Sequence, residues 1–254
     1  MTERLLLPSR QEQELPQGER EYLAGSFDAG VGIWIGRGDK SLRVRVTRED
    51  KGALEVFLPF FPFGPQWSKR KYWFLQAAGE DARPLLKAVH SDVRLRKPVV
   101  DLAITYLDWK RDHKHPSNKT AEEMRREEEF FVRMQQVHSR KEEYVYDIGH
   151  KPLGFRYLAG FFDQNKGSIY PDSSNGYLTI NINPHNKSFI QHLQQEIGGA
   201  SFPKDAEDPR LWRIVGAEAE KFWGDMKGFM KKRYQLVAET VVWKHSSGNR
   251  TAKR

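Results

Sequence analysis

Apolar and polar positions follow two different periods along this chain, and the same succession of periods occurs twice. In residues 177–183 (YLTININ) the apolar Leu178, Ile180 and Ile182 share one face of a strand. The following run KSFIQHLQQEIGG has helical spacing and a glycine stop. ASFPKD and RLWRIVG read as paired strands, EAEKFWGDMKGFM and KKRYQLVAETVVWK as closing helices, and residues 153–163 as a helix leading into the strand-like GSIYP. The earlier part of the chain has this order more loosely: a helix, VGIWIGR and SLRVRVT as strands, an apolar stretch around ALEVFLPFF, the strand KRKYWFLQ, then the helices ARPLLKAV and RKPVVDLAITYLDWK.

The two parts also match residue by residue. EYLAGSFDAGVGIWI at 21–35 echoes RYLAGFFDQNKGSIY at 156–170, with Leu158 falling 135 residues after Leu23. A second echo closes each part, where Trp109-Lys110 and Trp243-Lys244 are 134 residues apart. Two signatures in one order at nearly one offset imply a tandem duplication, with halves at 1–109 and 151–244. Residues 110–150 between them read as a charged linker carrying a short amphipathic helix that starts at Ser117 or Thr120. The tail 245–254 repeats the beginning of that linker and is expected to be a flexible basic end.

Composition narrows the class. A chain of 254 residues spans one to two domains, and its 7 Trp, 9 Tyr and 15 Phe supply core surface despite only 38% hydrophobic residues. The net charge of +8 favours a polyanionic partner. With no cysteine, disulfides, thiolate metal sites and cysteine nucleophiles are excluded. No apolar run is long enough for a membrane span or a secretory signal, so the expectation is a soluble intracellular protein of bacterial cytoplasm or an organelle. The sequons at Asn118, Asn186 and Asn249 then carry no glycosylation argument.

Leu23-Ala24-Gly25-Ser26-Phe27-Asp28-Ala29 and Leu158-Ala159-Gly160-Phe161-Phe162-Asp163-Gln164 resemble the opening of the LAGLIDADG homing endonuclease motif, present twice as in the single-chain members. The resemblance implies an α+β fold of two pseudo-symmetric αββαββα halves, with the motif helices packed together and antiparallel sheets forming a saddle over a nucleic-acid duplex. Ala24, Gly25, Ala159 and Gly160 are then interface residues whose small size lets helix backbones approach. In the family, the eighth motif position carries a metal-binding carboxylate. Here that position is Gly30 and Asn165; each motif is one residue longer than usual before its glycine, so an alternative alignment gives Val31 and Lys166. Neither register supplies an acid, and no catalytic residue or metal site is expected. Asp28 and Asp163, at the sixth position, are read as packing and hydrogen-bonding groups, with metal ligation as their alternative role.

The same resemblance assigns the polar strand faces to nucleic acid. In SLRVRVT, Arg43 and Arg45 alternate against Leu42, Val44 and Val46, and Arg37, Lys40, Arg48, Lys69, Arg70 and Lys71 lie on or beside the same strands. The second half offers Tyr177, Thr179, Asn181 and Asn183, with Arg210 and Arg213 on a later strand. Gly36-Arg37-Gly38 reads as a hairpin turn, and His113 with His115 as a solvated loop. Of the tryptophans, Trp67 and Trp73 beside Lys69–Lys71 are candidates to stack on unpaired bases, while the others read as core.

The function expected is a cleavage-deficient, monomeric nucleic-acid-binding protein without cofactor. Structured RNA is favoured over duplex DNA, as in an intron-splicing maturase, a ribosomal RNA binding or assembly factor, or another ribonucleoprotein subunit. The alternatives are a Mg2+-dependent site-specific DNA endonuclease or nickase, and a DNA-binding transcription regulator. The short stretches outside the motifs leave no room for a helix-turn-helix to support the latter.

Overall fold

A computed structural model describes residues 15–49, 51–69, 71–113, 119–139, 152–171, 177–184, 186–202 and 210–230. The expected last helix, KKRYQLVAETVVWK, lies outside these residues, as does the basic tail. The chain divides into two compact units, one within 1–20 and 30–140 and the other within 21–29 and 141–254. The central part of the first motif helix thus packs as part of the second unit.

The first unit holds β1 (Gly32–Ile35), β2 (Leu42–Arg48), β3 (Gln66–Trp67) and β4 (Trp73–Ala78) in one antiparallel sheet of order β1-β2-β4-β3. Period-two burial decides its inner face: Ile33, Ile35, Leu42, Val44, Val46, Leu75 and Ala77 are all at most 3% exposed. These side chains form a core with helices α2 (Arg83–Val89) and α3 (Lys97–Asp112), which contribute Leu85, Leu86, Val99, Val100, Ala103 and Tyr106. Pro98 at the start of α3 and Lys110 and Arg111 in its last turn fit the free N–H groups at one end and the negative dipole end at the other. Between β2 and β3, ALEVFLPFF forms a 3-10 helix over Gly52–Phe60, where the second half has a regular α-helix. Pro59 inside this segment suits the tighter, shorter form.

The segment expected as a charged linker with a short helix contains α4 (Ala121–Ser139), a helix of 19 residues. Thr120 and Glu123 close a capping box at its start: the Glu123 N–H donates to Thr120 Oγ1 at 3.2 Å, and the Thr120 N–H to Glu123 Oε2 at 2.7 Å. Glu127, Phe130, Phe131 and Met134, spaced three and four apart, are buried. Phe130 packs on Tyr106 and Trp109 of α3, with centroids 5.1 and 5.7 Å apart. The helix is longer than expected because its one apolar stripe has α3 to pack on.

In the second unit, α5 (Phe155–Phe161), β5 (Gly167–Pro171), β6 (Leu178–Ile182), α6 (Lys187–Ile197), β7 (Ala200–Phe202), β8 (Leu211–Val215) and α7 (Gly216–Met226) follow the predicted order. The strand order β5-β6-β8-β7 is that of the first sheet. Asn186 caps α6 by accepting the Phe189 N–H at 2.9 Å, and Gly198, with φ +92, ends it. Leu178, Ile180, Ile182, Trp212 and Ile214 pack with Phe189, Leu193, Phe222 and Trp223 of α6 and α7. No helix among the described residues is long and apolar enough to cross a membrane.

Candidate nucleic-acid interface

The two motif helices, α1 (Gln17–Gly30) and α5, meet within the second unit along their small residues. Ala24 and Ala159 are fully buried. A Cβ added at Gly25 would collide with the Tyr157 carbonyl oxygen, and one at Gly160 with the Tyr22 carbonyl oxygen. Tyr22 Oη donates to Asp163 Oδ2 at 2.7 Å, while Tyr157 Oη donates to Asp28 Oδ2 at 2.6 Å. Tyr22 and Tyr157 occupy matching motif positions, so the two bonds form a reciprocal pair across the seam. Ser26 adds a bond to the Gly160 carbonyl at 3.1 Å. Its counterpart Phe161 instead stacks on Phe189 at 5.1 Å.

The outer face of the first sheet carries Trp34, Arg43, Arg45, Thr47, Phe74 and Gln76, in register Trp34↔Arg43, Arg45↔Gln76 and Thr47↔Phe74. Arg45 donates from Nε and Nη2 to Gln76 Oε1 at 2.9 and 2.5 Å. Its guanidinium lies 4.7 Å from the Phe74 ring centroid and 5.3 Å from that of Trp34. One amide acceptor and two rings fix the fork, and this contact uses two of the five guanidinium donors. Arg43 is held by Asp39 at 2.5 Å. The Ser41 N–H, and then Arg43, keep the Asp39 carboxyl below the usual range, so it remains charged near neutrality.

The second sheet contains the same pair in the opposite chain order. Arg213 on β8 donates from Nε to Asn181 Oδ1 on β6 at 2.9 Å, directly across the strands, and lies 4.5 Å from the Phe202 ring. Asn181 Nδ2 donates to Tyr170 Oη at 2.9 Å. The central two strands of each sheet therefore pair an arginine with an amide side chain, and the guanidinium lies against an aromatic ring of the same sheet. Gln76, Trp34, Phe74, Tyr170 and Phe202 were not singled out with these surfaces from the sequence. The parity of WFLQAA, which puts Phe74 and Gln76 on one face, was the available signal.

Several expected contacts are placed differently. Arg48 is only 4% exposed and shares the inner face with Leu42, Val44 and Val46, as period two requires. Its guanidinium lies 5.3 Å from the Phe57 ring and donates to the Thr47 carbonyl, which removes it from the outer surface. Lys40 is drawn to α4, with Nζ 2.6 Å from Glu128 and 4.2 Å from the Phe131 ring centroid. Thr179 and Asn181 are 2% and 9% exposed, because every position of the central strand β6 is covered. Asn181 is hydrogen-bonded to Arg213, Tyr170 and Ser168. Arg37 is exposed in the β1–β2 turn, which the Gly36 N–H closes onto the Ser41 carbonyl at 2.8 Å. Lys69, Lys71, Tyr177 and Arg210 are exposed and Asn183 is half-buried; Arg70 and His115 fall outside the described residues. His113 stacks on Trp109 at 4.9 Å.

At the motif ends, neither helix carries an acid at the eighth position. Gly30 has no side chain, and Asp28 and Asp163 each accept a tyrosine hydroxyl. Among the described residues no cluster of three or more His, Asp or Glu side chains is disposed to hold a metal. The extra motif residue is accommodated differently in each half. After α5 the chain makes one π-helical turn, Phe162–Lys166, before β5, whereas α1 ends at Gly30, which sits at φ 156, with Val31 extended.

No protein-family model matches this chain, and no curated protein matches it in sequence. Solved structures match its fold over most of its length. I-SmaMI bound to uncleaved DNA target in the presence of calcium ions is 14% identical with a TM-score of 0.63, covering 90% of this chain and 92% of that one. The LAGLIDADG meganuclease I-AabMI bound to uncleaved DNA is 13% identical with a TM-score of 0.66, covering 88% and 89%. The LAGLIDADG homing endonuclease I-GzeII in complex with DNA target is 14% identical with a TM-score of 0.66, covering 90% and 91%. The chain has the fold of the LAGLIDADG homing endonucleases.

Proposed function

We propose that this chain is a nucleic-acid-binding protein that recognises its target without cutting it. The observation that carries this reading is the repeated arginine–amide pair, Arg45 with Gln76 and Arg213 with Asn181, on the central strands of the two sheets. An arginine fork held by an amide and a ring pays little ordering entropy on binding, and its remaining donors match phosphate oxygens or the acceptor edge of guanine. Arg37, Lys69 and Lys71 add phosphate-neutralising charge around the first sheet. The absence of an acid at Gly30 and Asn165, with Asp28 and Asp163 tied to tyrosines, supports the non-cleaving half of the reading.

Duplex DNA is the proposed target, because the solved proteins that share the fold hold DNA. Structured RNA is the second reading, favoured by the missing motif acids: a protein that only clamps a folded RNA has no use for them. Selection from random duplex DNA and random RNA pools, followed by anisotropy titration of the enriched sequences, decides between them. The expected result is a sequence-dependent duplex whose affinity falls with Arg45→Ala and with Arg213→Ala, with no strand scission in Mg2+ or Mn2+. Enrichment from neither pool overturns the binding reading, and scission abolished by Asp28→Asn overturns the non-cleaving one.

A further inference from the structure

We infer that the β3–β4 hairpin is a separate stacking platform for unpaired nucleobases. Trp67 on β3 lies across from Trp73 on β4, with ring centroids 5.0 Å apart and planes at 58°. Cross-strand tryptophans commonly brace a hairpin against each other, and that accounts for Trp73. It does not account for Trp67, which is 54% exposed on the edge strand of its sheet. More than half of its surface therefore stays open to a ligand.

The charge around it points to the occupant. The segment QWSKRKY at 66–72 carries three cations and no acid. Lys69 and Lys71 are exposed at its tip, where the Ser68 N–H donates to the Tyr72 carbonyl at 2.9 Å and the Lys71 N–H to the Ser68 carbonyl at 3.0 Å. Lys71 sits at φ 63, a left-handed conformation that fixes the tip's shape. From outside the hairpin, the Lys51 ammonium lies 5.2 Å from the Trp73 ring centroid. An open indole face beside lysines on a tight turn suits a base that stacks while its phosphates meet the ammonium groups. A purely apolar protein partner would gain nothing from those charges. A paired base inside a duplex presents no free face, so the ligand class is a single strand, whether an overhang, a loop or a displaced strand.

This surface is distinct from the arginine–amide pairs and shares with the preceding reading the polyanionic partner and the two lysines, Lys69 and Lys71. The full chain is titrated with labelled oligothymidylate, oligouridylate and a blunt duplex of equal length, following anisotropy and tryptophan quenching. Both single strands are expected to bind and to quench, and the preferred sugar identifies DNA or RNA as the source. Trp67→Ala is expected to weaken single-strand binding roughly tenfold with duplex binding unchanged, and Trp67→Phe to restore most of it. Lys69→Gln and Lys71→Gln, which spare the aromatic pair, are each expected to lower the single-strand salt slope by about 0.7. Equal single-strand affinity for the wild type and Trp67→Ala overturns the inference, as does self-association abolished by Trp67→Ala without any oligonucleotide binding. Loss of duplex binding in the wild type, with single-strand binding intact, counts against the proposed function alone.

Discussion

The Tyr157 hydroxyl donates to Asp28 across the motif seam at 2.6 Å, and the carboxylate that receives it is 8% exposed. Here the tyrosine holds it as part of the helix contact, and Tyr22 does the same to Asp163. The seam is fastened by the same acids that the motif preserves.

Tyr157→Phe should therefore destabilise the protein without touching the polar sheet faces. A hydrogen bond to a buried charge contributes about 2 kcal/mol, so urea unfolding should shift by that amount. A double-mutant cycle with Asp28→Asn should show coupling above roughly 0.5 kcal/mol, and independent effects would mean that the bond does not hold the seam.

Gly25→Ala and Gly160→Ala test the backbone approach itself. Each new methyl meets a carbonyl oxygen of the opposite helix, which cannot swing aside as a side chain does. Each substitution should cost about 3 kcal/mol by thermal denaturation, whereas Gly38→Ala, in open space on a turn, should cost far less.

Glu127 of α4 predicts an acid-sensitive term. Burial pushes its carboxyl up, but hydrogen bonds from Lys110 at 2.5 Å and Lys119 at 2.7 Å, with their charges, outweigh burial and hold it below the usual range. Because the folded value is the lower one, this stabilisation is present above the unfolded carboxyl value of about 4.3 and is lost as the pH falls through the folded value. Glu127→Gln should cost about 2 kcal/mol near neutrality, less than for a fully buried pair because both lysines keep part of their surface in water. The wild-type and variant stability curves should converge in acid. A constant gap down to low pH would assign the effect to packing.

If the first sheet face binds a polyanion as proposed, Asp39 restrains that binding by pairing with Arg43. Asp39→Ala should tighten binding of duplex DNA a few-fold and steepen the salt slope by about 0.9, as one more cation becomes available. Arg45→Ala should act in the opposite direction, weakening binding roughly tenfold and lowering the slope by about 1. Anisotropy titrations over a range of salt separate these outcomes, and unchanged slopes in both would remove the sheet face from the interface.

The repeat, the strand sequence of each half and the inner face of each sheet were legible in the residues alone. They depend on local regularities: a period of two along SLRVRVT and YLTININ, a helical period along KSFIQHL, and small residues at matching motif positions. Arg48 is the exception: its charge assigned it to the nucleic-acid face, whereas its place in the row of Leu42, Val44 and Val46 puts it inside. Only the tertiary structure decided what lies beside what. Which strand pairs with which, and in what register, is fixed by contacts between distant parts of the chain, so Arg45 on Gln76, Arg213 on Asn181 and the two tyrosine–aspartate bonds have no local signature. The same holds for α4, whose charged sequence reads as a linker until α3 gives its apolar stripe a surface to bury.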